Sequence, residues 1–190
     1  MLGLAPVTLL LALAASGSAT EVLRARDIEI RAALPPRGVP ATPDAKVRLQ
    51  GIFTRAVDVK GMVVSAMGPR WKTLPSQKQQ RLLAAFEKRL RLAGVENLEE
   101  YGSTVIEYRP EVVSPDGTVK VPTRIVVNGE PTEIEYRMRS DPDTWRIVDI
   151  TIDGVSTVEN YRASFSRVMA KEGVDGLIRR LERGPSEAGT

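Results

Sequence analysis

The chain has 190 residues, 42% of them apolar and 27% charged, with 27 basic against 24 acidic side chains and a net charge of +3. That balance suits one globular domain with an ordinary core and excludes wholesale disorder. Cysteine and histidine are both absent, which removes disulfides, thiolate nucleophiles, histidine triads and the common zinc and iron–sulfur sites, and so points toward binding rather than chemistry.

No charged side chain occurs in residues 1–19. Leu4 to Ala15 form an apolar run, and Gly17 and Ala19 stand as small residues three and one before a break. This is the layout of a secretory signal, and the run is shorter than the roughly 20 residues that span a membrane. The expectation is a signal peptide over 1–19, a single domain over 20–184 and a disordered tail over 185–190; a buried N-terminal helix is the alternative for the first segment.

Loose helical spacing runs from Glu21 to Leu34, and Pro35-Pro36 ends it. A loop rich in Pro and Gly follows to Pro43, then Val47, Leu49, Ile52, Phe53 and Ala56 resume the helical period. Asp58 can cap a short helix that reaches Gly68. The strongest helix starts near Pro75, with Ser76 and Gln79 at capping-box spacing and Leu82, Leu83, Phe86 and Leu90 on one face. Gly94 is a plausible stop.

From Tyr101 the period changes to two. Ser103 to Tyr108, Val119 to Val127, Thr132 to Arg139 and Trp145 to Ile152 read as four strands, separated by turn signals at Pro115-Asp116-Gly117, Asn128-Gly129 and Asp141-Pro142-Asp143. Pro122 predicts an edge or a bulge, and the parity change between Ile147 and Val148 predicts either a bulge or a strand covered on both faces. Ser156 and Glu159 form another capping box before a helix that runs to Gly173, and Asp175 can cap a last one ending at Gly184-Pro185. Helices, then an antiparallel meander of about four strands, then helices make an α+β fold: a curved sheet packed against N- and C-terminal helices. The pattern leaves open whether the space between them is filled or hollow.

The stretch from Trp145 onward resembles a known family. Trp145, Asp149, Gly154-Val155-Ser156, Tyr161-Arg162 and Phe165 fit the signature of the MlaC family, the toluene-tolerance periplasmic proteins, as does Gly173-Val174-Asp175-Gly176-Leu177. Upstream, Gly68-Pro69-Arg70-Trp71 and Phe86 fit the family's tryptophan region, with Met67 where leucine is usual. The likeness spans Thr42 to Arg183. It implies an apolar lipid pocket and a monomeric periplasmic carrier. Such a carrier shuttles phospholipid between an inner-membrane ABC transporter complex with an MCE-type component and an outer-membrane lipoprotein–porin complex. It implies no cofactor beyond phospholipid as cargo. A hopanoid-associated branch makes a polycyclic lipid the alternative ligand.

Candidate pocket residues are Val59, Met62, Val63, Met67, Trp71, Phe86 and Leu90 before the sheet, then Tyr108, Ile125, Val127, Ile134, Tyr136, Trp145, Ile147 and Ile150 on it, and Tyr161 and Phe165 after it. Each can equally be plain core. Arg70 to Arg91 carries a local charge of +6, and Arg70, Lys72, Arg81, Lys88 and Arg89 are the candidates for contact with anionic headgroups or an acidic partner. A secretion signal and the lack of interleaved aromatics speak against nucleic acid. Two other readings stand beside the carrier: an enzyme using Asp149 and a tyrosine, and a structural partner of a membrane complex with a filled core. Ser156, with no histidine to activate it, reads as a helix cap.

Overall fold

The computed structural model describes residues 17–36, 39–96, 102, 104–127 and 129–183. Most of the expected signal segment and the expected tail lie outside these residues, as do Ser103 and Asn128. Among the described residues five helices precede the sheet: α1 (Ala19–Ala33), α2 (Pro43–Ala56), α3 (Val59–Met67), α4 (Arg70–Thr73) and α5 (Ser76–Glu96). The sheet comprises β1 (Glu107–Tyr108), β2 (Val112–Val113), β3 (Val119–Val127), β4 (Glu130–Asp141), β5 (Thr144–Ile152) and β6 (Val155–Ser156). One long helix, α6 (Thr157–Arg183), closes the chain.

Helix α1 begins two residues earlier than its apolar spacing predicts. Ser18 and Glu21 form a capping box: Ser18 Oγ accepts from the Glu21 N–H at 3.2 Å, and Glu21 Oε2 accepts from the Ser18 N–H at 2.7 Å. Ala19 is fully buried, and the Trp145 indole donates to the Gly17 carbonyl at 3.2 Å. Thr42 and Asp58 cap α2 and α3 through their side-chain oxygens. The capping box expected at Ser76 and Gln79 does not form. Ser76 already lies inside α5, and the Gln79 amide donates to the carbonyls of Trp71 (3.0 Å) and Leu74 (3.1 Å), tying the single turn of α4 to α5. Gly94 does not end α5, which continues to Glu96. Gly173, at φ 67°, breaks α6 where the sequence predicts a stop.

The six strands pair antiparallel, in the order β1-β3-β4-β5-β6 with β2 also on β3. Six strands replace the expected four, because two-residue segments on either side of the meander find partners. The expected strand Ser103–Tyr108 pairs only at Glu107 and Tyr108. Pro122 sits where the edge of β3 changes partner, between Thr123 opposite Tyr108 and Lys120 opposite Val112. There its missing N–H costs nothing, and its carbonyl accepts from the Arg109 N–H at 2.9 Å. The parity change in β5 is a bulge: Met138 faces Ile147 and Arg137 faces Asp149, leaving Val148 as the extra residue.

Period-two geometry assigns one face of the sheet to Val119, Val121, Thr123, Ile134, Tyr136, Met138, Ile147 and Ile150. The helices pack on this inner face. Val119, Val121, Met138 and Ile147 are buried in one cluster with Met62, Val63, Leu82, Phe86 and Phe165. Phe86, Tyr161 and Phe165 stack edge-on or tilted, with centroids 4.8–5.9 Å apart, and lock α5 to α6. The Asp58 N–H donates to the Ile147 carbonyl at 2.9 Å, docking the α2–α3 junction on the edge of β5.

Candidate functional site

The inner face is not covered evenly. One row of directly opposed residues crosses five strands: Tyr108 faces Thr123, Thr123 faces Ile134, Ile134 faces Ile152, and Ile152 faces Val155. Thr123 is buried and its hydroxyl donates to the Ile134 carbonyl at 2.9 Å, so its polar atom is satisfied inside the sheet. Toward the other end the row opens. Ile134 is half-buried, Ile152 is 46% exposed and Val155 58% exposed. Three aliphatic side chains in contiguous register, facing the inner side yet uncovered, form an apolar shelf at the mouth of the core. Ile125, two residues beyond Thr123 on the same face, extends it.

At the opposite end the row is polar. Helix α1 passes over β3 and β5. Its Arg24 guanidinium lies 4.0 Å from the centre of the Tyr108 ring. Burial, aided by the Asp27 carboxylate, pushes the Tyr108 phenol up to about 12, against the pull of Arg24 and Arg31. The Tyr136 phenol is raised further, by burial first and then by Tyr108 and Asp27. Burial also raises Tyr161, opposed by the charge of Arg89 and then by its hydrogen bond. All three therefore stand as neutral hydrogen-bond donors at neutral pH.

Of the candidate pocket residues, Met62, Val63, Met67, Phe86, Leu90, Ile147 and Phe165 are buried in the central cluster. Val59, Trp71, Tyr108, Tyr136, Trp145, Ile150 and Tyr161 pack against it partly exposed. Ile125 and Ile134 lie on the open half, outside that cluster. Val127 pairs with Glu130 at the end of β3, and its side chain lies outside the described residues. Sequence spacing passed over Ile152 and Val155; the Ile152–Val155 pairing across β5 and β6, which no alternation of two residues announces, is what reveals them.

Asp149, weighed as an acid–base group, belongs to neither half. It shares the outer face with Arg137, whose guanidinium is 4.0 Å away. Its Oδ1 accepts from the N–H groups of Ile150 (2.9 Å) and Val158 (3.0 Å), and its Oδ2 from the Ser156 hydroxyl (2.6 Å). Ser156 Oγ in turn accepts from the Glu159 N–H at 3.1 Å. Asp149, Gly154 and Ser156 thus build the corner by which β5 turns back and α6 begins, with Gly154 at φ 83° in the turn.

The basic stretch is only partly free. Arg81 pairs with Glu182 at 3.3 Å, Lys78 with Asp175 at 2.8 Å, and Arg70 donates to Ser166 Oγ at 3.3 Å, so these cations clamp α4 and α5 to α6. Lys72 and Lys88 are exposed. A separate cleft of about 490 Å³ lies between α2, α3, α5 and the β4–β5 hairpin. It is lined by Asp58, Glu87, Arg139, Asp141 and Arg146 among others, a charged setting unsuited to fatty tails.

Comparison with known proteins agrees with this architecture. The MlaC protein family model matches residues 40–183. A solved structure of a phospholipid-binding protein from Ralstonia solanacearum, in complex with a phospholipid, has the same fold, with a TM-score of 0.74. The two chains are 24% identical over 88% of this chain and 96% of that one. Among curated proteins no match is found.

Two outcomes follow from the site's geometry. Asp149→Ala leaves two N–H groups and a hydroxyl unpaired at a buried corner, and is expected to lower stability by about 2–3 kcal/mol in urea unfolding, whereas Asp149→Asn, which keeps an acceptor, costs markedly less. The tyrosines set a pH dependence with a definite sign. Below pH 10 they are neutral in both states; above it the unfolded chain loses protons that the folded chain retains, so stability falls as pH rises from 10 toward 12. Denaturation at pH 9 and pH 11 checks this, and equal stabilities would refute it.

Proposed function

The chain belongs to the MlaC family, and from that premise we propose that it is a periplasmic carrier of phospholipid, not an enzyme. The observation that carries the reading is the apolar shelf of Ile134, Ile152 and Val155 opening from the core. An acyl chain is worth about 0.8 kcal/mol per buried CH₂, so a sixteen-carbon tail represents on the order of 12 kcal/mol against water. A carrier must match the membrane closely. A much poorer site fails to load, and a much better one fails to release.

The composition of the core suits a cargo that comes and goes. Met62, Met67, Met138 and Met169, four of the five methionines, lie in or against the central cluster. Their unbranched side chains repack at small cost, so tails can enter beside them as well as along the shelf. The phospholipid in the Ralstonia protein, which shares the fold, supports the choice of ligand class. Among the described residues no helix is long and apolar enough to cross a membrane.

On this reading residues 1–19 are the export signal, 20–184 the carrier domain and 185–190 a disordered tail. The pocket draws on the seventeen candidate residues together with Ile152 and Val155. The cargo passes between an inner-membrane ABC transporter complex with an MCE-type component and an outer-membrane lipoprotein–porin complex. Lys72 and Lys88, with the outward parts of Arg70, Arg81 and Arg89, supply the contact with acidic partners or headgroups. The Asp149 corner supports a carrier over an enzyme, because its carboxylate is committed to backbone and Ser156.

Organic extraction of the purified protein followed by mass spectrometry tests the proposal. About one phospholipid per chain is expected. Recovery of a polycyclic lipid instead would move the assignment to the hopanoid-type ligand, and a protein from which no lipid is ever recovered, and which takes none from vesicles, would overturn it.

A further inference from the structure

We infer that Arg24 and Tyr108 hold the phosphate of the bound lipid, so that the cargo lies along the cross-strand row with its headgroup at the α1 end and its tails toward Val155. This deepens the phospholipid reading and rests on it. The row Tyr108, Thr123, Ile134, Ile152, Val155 is one line of opposed residues. Strands lie about 4.8 Å apart, so the line spans roughly 19 Å from phenol to valine. Its chemistry changes once along that line, from a hydroxyl and a guanidinium at one end to bare aliphatic carbon at the other. An amphiphile laid on it matches in one direction only.

Arg24 differs from its neighbours in how it is held. Arg26 pairs with Glu29, Arg55 with Glu29, and Arg31 with Asp27 and the carbonyls of Gly102 and Thr104. Arg24 has no carboxylate partner among the described residues; the face of Tyr108 positions it. A guanidinium whose carbon sits over a ring leaves N–H donors available to a phosphate, which can engage them through two oxygens. Arg24 is exposed, so those donors face outward. The neutral Tyr108 hydroxyl adds a further donor beside it. Arg24 also lies outside residues 40–183, so this contact belongs to the N-terminal helix rather than to the matched region.

The experiment compares uptake of phosphatidylglycerol and of diacylglycerol with the same tails from neutral phosphatidylcholine-free carrier micelles, using the full chain. The wild type is expected to prefer the phosphate-bearing lipid. Arg24→Gln is expected to weaken phosphatidylglycerol uptake about tenfold, the usual scale for a charge-assisted contact, with the loss confined to that lipid. Tyr108→Leu, which removes the ring under the guanidinium, should follow Arg24→Gln, while Tyr108→Phe should retain most of the preference. Unchanged melting of Arg24→Gln, expected for an exposed side chain, separates the effect from unfolding. Equal uptake of both lipids by wild type and Arg24→Gln would overturn this inference and leave the carrier reading intact. Uptake of neither lipid by the wild type would instead overturn the carrier reading. Millimolar inorganic phosphate is expected not to displace the lipid; displacement would reassign the pair to a free anion.

Discussion

The antiparallel register of β3, β4 and β5 is the constraint on which the other features depend. Side chains alternate faces along a strand, so a slip of one residue would turn every inner side chain outward. The bulge at Val148 resolves a conflict within that rule. It keeps Ile147 and Ile150 on the inner face while leaving Asp149 on the outer one, opposite Arg137. Without the extra residue, either the aliphatic row or the Asp149 corner would be lost. The same alignment brings Ile134, Ile152 and Val155 into one line and lets Asp149 cap α6 through the Val158 N–H.

From this register the sheet acquires two unequal halves. One half is closed by Phe86, Tyr161 and Phe165 together with Met62 and Met138, and it supplies the burial that holds the fold in a chain without disulfides. The other half is left open at Ile152 and Val155. A lipid carrier needs both. The packed half gives stability that does not depend on cargo, and the open half offers surface whose burial is contributed by the cargo itself. The ion pairs from α5 to α6 hold the helical layer together at its outer side, where exposed pairs each add little but several fix a common orientation.

Much of this architecture was legible from spacing. The helical stripe of α5, the meander, the edge position of Pro122, the bulge at Val148 and the break at Gly173 all follow from periodicity and turn chemistry. What escaped has physical causes. The two-residue strands β2 and β6 are too short to show alternation, and β6 carries Val155, one end of the shelf. The start of α1 was hidden because Ser18 and Glu21 straddle the predicted cleavage site. Gln79 does not cap because Ser76 lies inside α5 and the Gln79 amide donates instead to the carbonyls of Trp71 and Leu74. The recognisable Asp149, Gly154 and Ser156 mark a backbone corner, so the part of the sequence that announces the family is not the part that faces the cargo. The open row itself depends on pairings between residues up to 18 apart in the chain, which no local pattern encodes.

The most direct test of the account places a reporter in the cargo. A phospholipid carrying a nitroxide near the end of one tail broadens the NMR signals of methyl groups close to it. The account predicts strong broadening of the Ile134, Ile150 and Ile152 methyls and none at Leu49 and Ile52, which are buried in α2 away from the central cluster. Broadening spread over the outer surface, or confined to the exposed Val47 and Ile28, with the inner-face isoleucines untouched, would contradict it.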